Sequence, residues 1–269
     1  GLLVSFQQLR KRLSIAAPTP AGKTMSVNPT LAGCLIFAAL TSCAPNHISE
    51  DNKEVTMAAV HAPVLPNEPA DLTADLPSKY AACPALVLRQ HWTGADALPV
   101  ETGVARIGAT TKGLSVHIRY EDSDIFSTAT ANQQRMWQLG DVAEVFVKPG
   151  LDRTDYWEVH VTPNNFLMDL SIPSRSGMQS GEHSWEDIIS PESGTVFQTH
   201  VTDGAWVAEL TIPWSAFGVA GIPESGTTWQ FAVCRYNYNG GLEDPELSST
   251  APLSKRSFHF YEDYTDLTF

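Results

Sequence analysis

This sequence has little that would suit it to nucleic acid, to a membrane span or to a disulfide scaffold. Its 17 Lys and Arg face 30 Asp and Glu, a net charge of −13 over 269 residues, and that balance repels phosphate backbones. The first 43 residues hold Arg10, Lys11, Arg12 and Lys23 and no acid, so the remainder has 13 basic against 30 acidic residues, or −17. No apolar run reaches the roughly 18 to 20 residues that a spanning helix requires. Cysteine occurs four times and never as C-x-x-C-H, which excludes c-type haem attachment. No long helical period separates the apolar segments, so the βαβ units of a parallel sheet are excluded as well.

What is there begins with "LAGCLIFAALTSCAPN". The apolar stretch Leu31 to Leu40 has the length of a signal h-region. Leu40, Thr41, Ser42 and Cys43 match the pattern in which a cysteine is lipidated and becomes the mature N-terminus. Ala44 follows, where an Asp would suggest retention in the inner membrane. Residues 1–43 are therefore expected to be a lipoprotein leader, lipidated at Cys43, placing an exported protein on the bacterial outer membrane. Met25 as initiator leaves "MSVNPT" without the usual positive charge, so residues 1–24 read either as an over-extended start or as part of a longer leader. Past the leader only Cys83 and Cys234 remain, to pair or to stay as two separate buried thiols.

Residues 44–79 are rich in Pro, Ala and acids, with Pro45, Pro63, Pro66, Pro69 and Pro77 spread through them and no apolar period. They are expected to be an extended tether. From Tyr80 onward the pattern changes to short apolar or alternating runs between turn residues: "ALVLRQHW", "VARIGAT", "LSVHIRY", "VAEVFVK", "YWEVHVT", "FLMDLSI", "TVFQTHV", "WVAELTI" and "WQFAVCRYNY". Residues 80–269 are thus expected to be all-β, an antiparallel β-sandwich of jelly-roll kind.

Alternation assigns faces. Ala143, Val145 and Val147 point one way, with Val142, Glu144 and Phe146 the other. Trp157, Val159 and Val161 oppose Tyr156, Glu158 and His160, and Val116, Ile118 and Tyr120 oppose His117 and Arg119. Trp137 precedes Asp141 and Glu144 in "RMWQLGDVAEVFVKPG". An indole beside carboxylates suits a sugar, whose C–H face stacks on the ring while its hydroxyls need charged acceptors and donors.

Over roughly Tyr80 to Phe269 the sequence resembles family 9 carbohydrate-binding modules and the related extracellular sugar- or haem-binding sandwiches. The resemblance rests on "YEDSDIF", "MWQLGDVAEVFVKPG", "DYWEVHVTPNNFLMDL", "AWVAELTIPWSAFG", "SGTTWQFAVCRYNY" and "SFHFYEDYTDLTF" in that order. It implies a slot that sandwiches a sugar, with Trp137 as first wall, Asp141 and Glu144 as strand acids, and Phe258 standing where the second wall is usually Trp. An arginine that binds hydroxyls in some members falls near Glu158, so the charge there is reversed, and Glu158 with His160 would supply the contacts instead. Trp206, Trp214, Phe217 and Trp229 match packing positions, and Trp92 is expected to pack too. Structural calcium occurs in some members, for which Asp122 and Asp124 are the candidate ligands.

Three functions compete on these residues. The first is noncatalytic binding of a polysaccharide or oligosaccharide by a membrane-anchored lipoprotein, beside a separate glycoside hydrolase. The second is a haem-binding redox subunit with axial ligands from Met136, His160 and Met168. The third is a glycoside hydrolase with Glu144 and Glu158 as its carboxylate pair. One sandwich with no separate catalytic domain favours the first.

Overall fold

Each strand is short and closed by turn chemistry that forces the chain back on itself. Asp203–Gly204 joins two strands through a two-residue loop in which Gly204 has φ +79°, the conformation an Asp-Gly hairpin supplies. At another corner Thr110 Oγ1 accepts from the backbone N–H groups of Lys112 and Gly113 at 3.2 and 3.1 Å. A Cβ on Gly113 would stand 2.1 Å from the Ile212 carbonyl oxygen, so only glycine fits there.

The computed structural model describes residues 57–189 and 192–269. The expected leader, Cys43 and the first part of the expected tether lie outside the described residues. The strands are β1 (Val60–His61), β2 (Leu86–Val87), β3 (Gly103–Ala109), β4 (Gly113–Glu121), β5 (Val142–Lys148) and β6 (Tyr156–Val161). They continue as β7 (Leu167–Ile172), β8 (Val196–Thr202), β9 (Ala205–Pro213), β10 (Thr228–Asn237), β11 (Glu246–Ser249) and β12 (Thr265–Thr268), with two short helices, α1 (Arg175–Ser180) and α2 (Trp185–Ile188). One sheet runs β1-β12-β10-β5-β6-β7, with β11 pairing along β10, and the other runs β2-β3-β4-β9-β8. The pairings between strands are antiparallel except that of β1 with β12. The all-β sandwich expectation therefore holds, and all nine quoted runs form strands.

Between the sheets lies a dry core that follows the expected parity: Val116, Ile118 and Tyr120 from β4 meet Val145 and Val159 from β5 and β6. Trp206, Trp214, Phe217 and Trp229 belong to it, as expected. A second apolar layer covers the other side of the seven-stranded sheet. Val142, Phe146, Tyr156, Met168 and Cys234 pack there against Met136, Leu253 and Phe258. The face that alternation marks as the more polar one is thus roofed by the chain around residues 129–139, by the two helices and by the stretch 251–264.

The stretch from residue 57 to 79 does not behave as a tether. Val60 and His61 pair with Leu267 and Thr268, and Leu65 donates its N–H to the Ala109 carbonyl at 2.7 Å. Leu65, Ala70 and Leu72 then pack with Tyr80, Cys83 and Val207 over the outer face of the five-stranded sheet. Isolated leucines between prolines have no period for a sequence reading to detect, yet burying each contributes about 1.5–3 kcal/mol. Cys83 and Cys234 lie in different clusters and are both free, buried thiols.

Candidate carbohydrate-binding cleft

Strand pairing fixes the centre of the site. Glu144 on β5 stands directly opposite His160 on β6, and Glu158, two residues before His160, shares its face. All three are buried, His160 completely. His160 Nε2 lies 2.6 Å from Glu158 Oε1 and 3.4 Å from Glu144 Oε1. On the far side of Glu158, His259 Nδ1 stands 3.8 Å from Oε2 and 2.8 Å from the Tyr156 hydroxyl.

Burial, and then the charge of Glu158, raise the Glu144 carboxyl well above the ordinary carboxylate range. Burial pushes Glu158 up as well, but His259 and the hydrogen bond and charge of His160 outweigh it and hold Glu158 below its ordinary value. The two acids of the floor are thus shifted in opposite directions, Glu144 toward holding its proton and Glu158 toward losing it.

These acids form part of the lining of a cleft of about 430 Å³. Trp137, Trp185, Phe258, His259, Tyr236 and Leu247 line it as well. Trp137 rides on a single 3-10 turn, Met136–Gln138, whose Met136 is fully buried. The Tyr238 hydroxyl donates to the Trp137 carbonyl, which pins the turn without engaging the indole. Ser184 Oγ accepts from the Asp187 N–H and the Ser184 N–H donates back to the Asp187 carboxylate, a capping box that fixes Trp185 at the first helical position. The two indoles meet edge to face at 5.6 Å, and the Arg135 guanidinium lies 4.7 Å from the Trp185 ring. Both indoles remain partly exposed.

The expected site residues divide. Trp137, Glu144, Glu158 and Phe258 line the cleft, with His160 directly beneath. Phe258 is only 5% exposed, packed in edge-to-face contacts with Tyr236 at 5.4 Å and Phe146 at 6.2 Å, so little of its ring is open to the cleft. Asp141 is not in the cleft. Its carboxylate accepts from the backbone N–H groups of Phe126 and Tyr238, each at 2.8 Å, and burial pushes it up to about 7.

Asp122 is occupied too. Arg235 donates to it at 2.9 Å in a buried ion pair, and Asp124 accepts from the Gly240 N–H at 2.9 Å. These two acids clamp loops at the sandwich end, and among the described residues the one grouping with ligand-like geometry is Glu144, Glu158 and His160. Met136 and Met168 are fully enclosed in the second apolar layer and form no part of the cleft lining. Trp92 packs against Phe258 at 6.5 Å, as expected. Sequence reading missed Trp185, Arg135, Arg256 and His259; the capping box in "HSWED" was the available signal for Trp185.

No family model matches the sequence, and no curated protein does. Among solved structures, the fold is shared with a protein of Bacteroides uniformis described provisionally as carbohydrate-binding, at 16% identity and a TM-score of 0.59, covering 78% of this chain and 98% of the other. A family 9 carbohydrate-binding module from Caldicellulosiruptor kristjanssonii in complex with cellotriose is similar at 12% identity and TM-score 0.53, over 78% and 92% of the two chains. The module from that organism in complex with glucose gives 11% and 0.54, over 78% and 94%. The described domain thus has the family 9 sandwich fold.

Proposed function

We propose that this chain is a noncatalytic carbohydrate-binding lipoprotein that seats a sugar against Trp137 and Trp185 and fixes its hydroxyls with Glu144 and Glu158. The observation that carries this reading is the pair of partly exposed indoles standing over a buried acid pair in an open cleft. Its volume falls within the roughly 300–1,000 Å³ usual for small-molecule sites. Phe258 lines the cleft as a largely buried ring, and Arg256, half exposed in the lining, is a donor to hydroxyls. The fold shared with modules described in complex with cellotriose and glucose supports the same ligand class.

Binding without catalysis fits the acids themselves. In a retaining glycosidase the two carboxyl groups face each other across about 5–5.5 Å of open space that holds the scissile bond. Here Glu144 and Glu158 both approach one imidazole nitrogen, and oxygens of the two lie within 4.8 Å of each other, closer than that spacing. Anchoring through Cys43 and export to the outer membrane complete the reading on the strength of the leader pattern, and work beside a separate glycoside hydrolase on the strength of the family resemblance alone.

A glycan array probed with the whole chain, followed by calorimetric titration with its best ligand, tests the site. Trp137→Ala is expected to lose about 1–3 kcal/mol of binding while the protein stays folded. Unchanged affinity for that variant would remove the indole from the site. For the anchor, fatty-acid labelling should mark the wild type and not Cys43→Ala; an unlabelled wild type would refute it.

A further inference from the structure

Among the described residues neither Glu144 nor Glu158 has a Lys or Arg within ion-pair distance, and His160 and His259 are their only basic neighbours. Glu158 Oε2 is buried and has no hydrogen-bond partner, although Glu158 lines the cleft. A buried carboxylate oxygen with no hydrogen bond, and only the His259 ring 3.8 Å away, is costly unless something binds it.

The geometry of the three side chains says what would. Their donor atoms, one imidazole nitrogen and two carboxylate oxygens, all lie within 4.8 Å of one another. Ligands held roughly 2.0–2.2 Å from a tetrahedral ion stand about 3.4 Å apart; Glu144 Oε1 to His160 Nε2 is 3.4 Å, while Glu158 Oε1 to Nε2 is 2.6 Å, a hydrogen-bond spacing that an entering ion has to widen. The three project from paired positions on two central strands, a rigid platform. Calcium and magnesium demand six or more oxygen ligands, whereas one imidazole with two carboxylates suits a borderline first-row ion that keeps an open position. The cleft side of the cluster is the open side.

We propose that Glu144, Glu158 and His160 form a binding site for a divalent cation of the zinc class at the floor of the cleft, with its free coordination position facing the cleft. The ion takes the place of the proton that His160 Nε2 shares with Glu158, so binding releases protons. The site goes beyond the sugar-binding reading and stands without it.

Zinc chloride titrated calorimetrically into the chelator-stripped whole chain should bind one ion per chain, with a heat that varies with buffer ionisation, and should raise the melting temperature. Outer-shell partners alone change metal affinity roughly 10- to 100-fold, so Glu144→Gln and Glu158→Gln should each weaken binding at least about tenfold. His61→Ala, an exposed histidine far along the chain, should leave it unchanged. Melts of both glutamine variants in chelator establish that they are folded when titrated. Absence of stoichiometric zinc binding, or equal affinity in wild type and both glutamine variants, overturns the proposal. If the glycan array finds no ligand while zinc titrates as stated, the sugar reading fails and the metal site remains.

Discussion

Both sheets bury a glutamate and a histidine on their outer faces, and the two faces finish them differently. On the five-stranded sheet Glu209 sits opposite His117. Lys79 donates to Glu209 at 2.7 Å, the Tyr80 hydroxyl at 2.9 Å, and the Ala70 N–H and Gln198 amide at 2.8 and 2.9 Å. On the seven-stranded sheet Glu144 and Glu158 share one histidine and receive no lysine or arginine. A buried carboxylate surrounded by its cation and donors is part of the structure, and its removal leaves a hole in a closed network. A buried carboxylate left short of partners beneath an open cleft is prepared for something that arrives later. The difference lies in the carboxylates alone, since both ring nitrogens of His117 on the five-stranded sheet are also buried without a hydrogen-bond partner.

The most severe way to break the comparison is to remove the cover. A chain starting at Tyr80 loses β1, Leu65, Leu72 and Lys79 together and leaves Glu209 buried without its cation. The expected destabilisation is on the order of 5 kcal/mol or more, read by denaturant unfolding beside the longer chain; equal midpoints would return residues 57–79 to the role of a tether. Lys79→Met isolates the charge and should cost about 3–5 kcal/mol, because it breaks a buried pair from one side.

His117 supplies the pH dependence. Burial first, then Arg106, lower it from 6.5 to about 4, with Arg119 adding and Glu209 opposing. Between those values the unfolded chain binds a proton at His117 that the folded chain refuses, so the stability this residue contributes is complete above pH 6.5 and falls as pH drops toward 4, while Asp141, pushed up to about 7 by burial, works in the opposite direction over the same range. The His117 share reaches roughly 3 kcal/mol, and it is read as the pH-dependent difference between melts of the wild type and of His117→Phe. The smallest effect belongs to the other face. Burial raises the Glu144 carboxyl well above its ordinary range and no lysine or arginine pairs with it, so Glu144→Gln should change stability by less than about 1 kcal/mol, while Lys79→Met unfolds readily; comparable losses for the two would erase the distinction drawn here.

The sequence shows strands well because alternation is local: Val116, Ile118, Val145 and Val159 reveal their face within five residues of chain. What covers a face is not local. Glu144 and Glu158 read as members of a polar outer surface, and nothing between residues 129 and 264 announces that three separate stretches fold over them. Asp141 and Asp122 were drawn into the candidate site by proximity in sequence to Trp137 and to a turn. Their partners, Tyr238 and Arg235, come from β10 and the residue after it, about a hundred residues on. Trp185 was passed over because a four-residue helix has no period to notice. The strand acids and Trp137 were legible for a physical reason: their positions depend on one hairpin and one turn, both close in sequence.

The pairing of β1 with β12 has a mechanical consequence. Any tension reaching the domain from the residues before Val60 enters at the edge strand, two strands beyond β10 and three from the β5 that carries Glu144. Because β1 and β12 run parallel, a pull along β1 slides it past its neighbour, and the rungs Val60–Leu267 and His61–Thr268 share the force instead of opening one after the other. The wrap from Ala62 to Tyr80 lies downstream of those rungs and is shielded until they yield. A domain held from its leading end and loaded through an occupied cleft would thus carry the strain across its seven-stranded sheet, leaving the five-stranded sheet slack.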